Sequence, residues 1–152
     1  MTGRAPPRTN LRTLLRGERG SSLVEAALVL PVVVALAMGV VMAGRVVQAK
    51  IGVQAAAREA ARAMAVAPSP WEGSSAAWTY GQSAALAHGL SPARFSLYVD
   101  NGGFARGGTV RAAAWYWIQL ADLPFLGRYQ LMVSSTHIER IELYRARSGG
   151  PP

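Results

Sequence analysis

Nineteen consecutive residues, Ala26–Gly44, carry no formal charge and are bounded by Glu25 and Arg45. Wound as a helix at about 1.5 Å per residue, the run is roughly 28 Å long, which matches the hydrocarbon thickness of a bilayer. Few folds can absorb such a segment. In a chain of 152 residues there is room for one modest domain beside an anchoring segment, but not for two sizeable cores. Hydrophobic residues make up 51% of the chain, and the excess lies between Leu23 and Val66 rather than being spread evenly. The pattern is that of a membrane protein with one span and a small domain on a stalk.

The flanks of the run are basic. Residues 1–20 hold Arg4, Arg8, Arg12, Arg16 and Arg19 against Glu18, a net +4, and Pro6, Pro7 and Gly3 disfavour regular structure there. This segment reads as a disordered cytosolic leader. Arg45, Lys50, Arg58 and Arg62 against Glu59 make the far flank +3, so charge asymmetry alone barely decides orientation. A carboxylate at bilayer depth costs roughly 2.5–3.5 kcal/mol at a helix centre and less near the interface. Glu25, at the edge of the apolar run, therefore calls for a partner or a function.

Pro31 lies inside the span and has no amide hydrogen to donate, so a kink or loosening is expected around Ala27–Pro31. Gly39 and Gly44 offer close-approach points for another helix. Beyond the membrane the helical pattern continues. From Arg45 to Ala67 there is no proline and alanine dominates, until Pro68-Ser69-Pro70 ends the helix. On a helical wheel Val53, Ala56, Ala57, Ala60, Ala61 and Met64 share one side, and Gln54, Arg58, Glu59 and Arg62 the other. Val47 and Ile51 fall off the apolar side, and Lys50 falls within it.

A different pattern follows. Residues 68–75 form a turn-rich linker with Trp71, and Ser75 to His88 suits a short second helix ended by Gly89 in left-handed geometry. Phe95 to Val99 and Thr109 to Gln119 read as two strands joined by a glycine-rich turn, Asp100-Asn101-Gly102-Gly103 with Gly107-Gly108. After a loop with Pro124 and Gly127, Tyr129 to Thr136 reads as a third antiparallel strand running on toward Tyr144. The fold class is α+β: a long transmembrane and stalk helix over 21–67, a small extracytoplasmic domain over 76–146 with a helix and an antiparallel meander, and a disordered tail over 147–152. A meander packed on the stalk helix would bury its apolar face.

Chemistry-bearing patterns are sparse. The chain has no cysteine, which excludes disulfides, thiol nucleophiles and thiolate metal sites but leaves the redox compartment open. His88 and His137 are far apart in sequence and lack acidic partners at ligand spacing, so no metal site is expected. Ser21-Ser22, Ser134-Ser135, Asp100, Asp122, Glu139 and Glu142 form no nucleophile elbow, metal loop or phosphate-binding glycine motif, and neither an enzyme, nor a cofactor, nor a small-molecule substrate is expected. Trp115-Tyr116-Trp117 has the alternation of a strand, in which such residues enter a core or cover an edge. Five of the arginines precede the span and the others are dispersed, which argues against a nucleic-acid surface.

Gly20-Ser21-Ser22-Leu23-Val24-Glu25 resembles the processing site of type IV prepilins and pseudopilins, in which glycine precedes the cleaved bond and glutamate is fifth in the mature chain. Together with the proline-bearing span through Pro31, Gly44-Arg45 and the block Ala56-Ala57-Arg58-Glu59-Ala60-Ala61-Arg62, the stretch 20–65 resembles the TadE-like family of tight-adherence (Flp) pilus systems. Relatives often have an aromatic where Ala26 stands and a glycine where Ala60 stands.

The resemblance implies a non-enzymatic, pilin-like minor pseudopilin or assembly component of a tight-adherence pilus or related secretion apparatus. It places the chain in the bacterial cytoplasmic membrane with the N-terminus in the cytosol and the C-terminal domain outside. Its implied partners are membrane lipid, a prepilin peptidase that cuts between Gly20 and Ser21, other pilus subunits and an inner-membrane assembly platform. Cleavage removes the +4 leader, taking the net charge from +8 to +4, and creates an amine one helical turn from Glu25. Two alternatives remain open: a generic single-pass anchor for an extracytoplasmic binding domain, and a secreted protein cut near Ala35-Leu36-Ala37 or Ala63-Met64-Ala65. The apolar run exceeds the usual signal-peptide core.

Overall fold

The computed structural model describes residues 11–120 and 129–141, with side chains from Ser22 onward. Helix α1 spans Leu11–Val66, helix α2 Pro70–Ala87, and strands β1, β2 and β3 span Phe95–Asp100, Thr109–Gln119 and Gln130–Arg140. The chain forms two compact units, Met1–Val41 and Met42–Pro152. The expected α+β order of long helix, short helix and antiparallel strands is present.

In the first unit α1 already begins at Leu11, inside the segment expected to lack structure. Leucine, arginine and glutamate dominate from Leu11 onward, and these residues lose little side-chain freedom in a helix. Pro31 stands within α1 without ending it. Apart from half-buried Met38, every side chain from Ser22 to Val41 is exposed. Among the described side chains of this unit, the apolar ones other than Met38 are left exposed.

The second unit is built around alanine. Ala49, Val53, Ala56, Ala57, Ala60, Ala61 and Met64 of α1 are buried in one cluster, whereas Gln54, Arg58, Glu59 and Arg62 are exposed. The wheel thus predicts the buried face, including the outward placement of Val47 and Ile51. Lys50, which falls on the apolar side of the wheel, stays exposed and donates from Nζ to the Ser134 carbonyl of β3. A long stem along apolar surface with its charged head at the rim accommodates that residue.

Helix α2 starts at Pro70, not at Ser75, so the expected linker over 68–75 is mostly helix. Ser69 is the N-cap, its hydroxyl accepting from the Glu72 amide at 3.3 Å. Proline is accommodated at the first helical position because its missing N–H would be unpaired there anyway. Gly73, Ala77, Gly81 and Ala85 recur every four residues and are the buried positions of α2. A Cβ at Gly81 would stand 2.6 Å from Leu97 Cδ2 of β1 and 3.2 Å from the Ala60 Cβ of α1, so α2 is tightly packed there against both. At its C-terminus the Gly89 amide donates to Leu86 and the Leu90 amide to Ala85. This paired closure needs the left-handed φ of +75° that Gly89 supplies.

The sheet has the order β1-β2-β3 and is antiparallel throughout. Val110, Ala112, Ala114, Tyr116 and Ile118 of β2 alternate inward with Leu97 and Val133 beside them. Two small residues at the middle of β2, Ala112 and Ala114, are fully buried in the same cluster as the alanine face of α1. Pro124, Gly127, Tyr144 and the tail over 147–152 lie outside the described residues.

Candidate functional site

The residues singled out for processing and assembly fall on one element. Gly20 and Ser21 are in the helical backbone of α1, and Glu25 and Pro31 follow on its exposed stretch. Around the Glu25 carboxylate the helix presents Leu23, Val24, Leu28 and Val29, all exposed. A Cβ placed on Gly39 or Gly44 would meet nothing within 4 Å, leaving both positions open to an approaching helix.

The alanine-rich block divides into two roles. Ala56, Ala57, Ala60 and Ala61 are core contacts at 0% exposure. Arg58, Glu59 and Arg62 face outward. The aromatic triplet divides likewise. Tyr116 is buried with the Arg94 guanidinium 5.5 Å above its ring. Trp117 is exposed on the sheet's opposite face, beside Met132 in register.

The two histidines are not brought together. His88 caps α2. His137 lies on β3, its Nε2 3.2 Å from Glu139 Oε2 two residues along. Among the described residues no group of three or more His, Cys, Asp or Glu side chains gathers in a cluster.

One feature sequence reasoning missed is a cleft of about 320 Å³ lined by Arg45, Gln48, His88, Arg94, Tyr116 and Gln119, among others. Arg45 was visible as the end of the apolar run. Arg94 was not, because only the turn after α2 brings it to β2.

The TadE-like protein family model matches residues 20–62. The match opens on Gly20 and closes on Arg62, so it covers the glycine, Glu25, Pro31 and the Ala-Ala-Arg-Glu block that carried the resemblance. No curated protein and no solved structure matches the chain significantly. Residues 20–62 are thus TadE-like, and α1 contains a segment long and apolar enough to cross a membrane, with none of that segment buried.

Proposed function

We propose that the chain is a non-enzymatic minor pseudopilin or assembly component of a tight-adherence pilus or related secretion apparatus. Its N-terminus lies in the cytosol and the domain after α1 lies outside the cytoplasmic membrane. A prepilin peptidase cuts between Gly20 and Ser21, where the missing side chain lets the backbone enter a narrow site. The observation that carries this reading is a TadE-like stretch beginning at that glycine and continuing as a helix whose apolar side chains, Met38 apart, are exposed from Leu23 to Val41. Lipid or partner helices must cover them.

Glu25 is the one charged residue between Ser22 and Gly44. After cleavage, the new amine at Ser21 sits one helical turn away, on the same chain or a neighbouring one. Pairing offsets the cost of holding a carboxylate at the bilayer edge and sets the axial register between subunits. The other partners are pilus subunits that pack along the exposed helix and the inner-membrane platform that assembles them.

The test is intact-mass measurement and N-terminal sequencing of the chain recovered from membranes of cells with and without the prepilin peptidase. A mature chain beginning at Ser21 only when the peptidase is present supports the proposal. An uncut chain in both removes processing and favours a permanent anchor.

A further inference from the structure

The bond that processing would break lies inside a helix. Helix α1 spans 56 residues from Leu11 to Val66, and Gly20 and Ser21 stand in its helical backbone. In an α-helix the Ser21 amide donates to the Gly17 carbonyl, and the Gly20 carbonyl accepts from the Val24 amide. Both sides of the bond are therefore engaged. A helix with its side chains is also about 10–12 Å across, too wide for a narrow cleft that holds a peptide as an extended strand. Hydrolysis adds the hydroxyl of water to the Gly20 carbonyl carbon and its proton to the Ser21 nitrogen. Neither atom is accessible until the helix around them opens.

Helix α1 is poorly supported at this end. Only Leu11 to Gly20 precede the bond, and a helical stretch shorter than about 12–15 residues is marginal alone. The first turn has no acidic residue to complement the positive end of the helix dipole. Gly17 and Gly20 stand within one turn of each other, and the next glycine of α1 is Gly39. Glycine loses more backbone freedom than any other residue on entering a helix, and alanine in its place favours the helical state about fivefold. Gly20 is explained by its place at the cut, where a side chain would obstruct a narrow cleft. Gly17 is not explained in that way.

We propose that Gly17 is a positioning residue for processing: it keeps the turn before the cut open often enough for the peptidase to capture the Gly20-Ser21 bond in extended form. The proposal rests on the reading that this bond is cut. Helices relax within about 0.1–1 μs, whereas enzymes typically turn over at most about a thousand times per second. Cleavage then tracks the equilibrium population of the open form, and a change in helix stability before the cut appears directly in the rate.

The full chain in detergent micelles is incubated with purified prepilin peptidase below saturation, and the initial rate at which the chain beginning at Ser21 appears is read by mass spectrometry. Amide hydrogen exchange at Ser21 and Val24 is measured on the uncut chains as a report of helix opening. Gly17→Ala is expected to slow cleavage and exchange alike, about fivefold. Leu14→Gly, which weakens the same stretch at another position, is expected to speed both by a similar factor, and the two substitutions together to return both close to wild type. Cleavage of Gly17→Ala at the wild-type rate overturns the proposal, and so does unchanged exchange in that variant. A double variant whose exchange recovers while its cleavage stays slow also overturns it, because the peptidase then reads residue 17 itself. A wild-type chain that the peptidase leaves whole refutes the processing reading and the proposal with it, whereas wild type and variants cut at Ser21 at equal rates refute the proposal alone.

Discussion

The turn between β1 and β2 allows the cost of one misplaced methyl group to be isolated. Gly102 and Gly103 are adjacent, with φ of +54° and +79°. The Gly102 amide donates to Asp100 Oδ1 at 3.0 Å and the Gly103 amide to Asn101 Oδ1 at 3.1 Å. Alanine at either position carries the left-handed penalty of about 1–2 kcal/mol, offset by about 0.4–1 kcal/mol from the stiffer unfolded chain. Only at Gly102 does the new Cβ meet an obstacle: it falls 2.1 Å from the Thr109 carbonyl oxygen, whereas at Gly103 nothing lies within 4 Å. Real Cβ atoms essentially never come within 3.0 Å, so the first residue of β2, which pairs with Arg140, has to move. Such overpacking costs about 1–3 kcal/mol. Gly103→Ala is therefore expected to lose about 1 kcal/mol and Gly102→Ala about 3 kcal/mol. At about 4 °C per kcal/mol for a domain of this size, Tm falls by about 4 °C and about 12 °C respectively. The assay is thermal melting of the full chain in detergent, followed by the near-ultraviolet dichroism of its aromatic residues. Equal shifts for the two variants would refute the argument, because the conformational penalty is shared and only the clash differs.

Three further outcomes are expected. Glu25→Ala should insert into membranes at least as well as wild type while lowering pilus assembly, counted by electron microscopy; wild-type piliation would remove the pairing role even with processing intact. Gly39→Leu should leave the melting temperature unchanged, since a side chain there meets nothing in the chain, yet reduce co-purification of partner subunits if a helix approaches at that point. Met64→Ala empties the largest fully buried side chain among the described residues and should cost about 2–5 kcal/mol in denaturant unfolding; a loss below about 1 kcal/mol would mean that the alanine core collapses around the gap.

How far the fold was legible depended on how local its cause was. The long helix, its buried side and the three strands follow from periodicities of 3.6 and 2, which act within a few residues of chain. The start of α2 was misplaced by five residues because Trp71 and Gly73 read as linker. Ser69 and Pro70 form a good helix start by themselves, and Gly73 is needed where a Cβ would press on Met64 Sδ at 2.7 Å. The spacing of Gly73, Ala77, Gly81 and Ala85 was readable, but what the stripe touches was not.

For the candidate site the division is similar. The sequence by itself determined the apolar run, the glycine before it, the carboxylate at its edge and the proline within it, because these are properties of one linear segment. It also determined which face of the stalk helix is alanine, since that depends on spacing alone. Tertiary structure decided which of Trp115, Tyr116 and Trp117 enters the core, because the pleat needs an external reference, the α1 face, before inside and outside have meaning. It also decided the company of Arg94: a residue in the turn after α2 meets Tyr116 and Arg45's cleft only once the sheet has closed over the helix. Residues far apart in sequence become neighbours through packing, and no pattern along the chain encodes that distance.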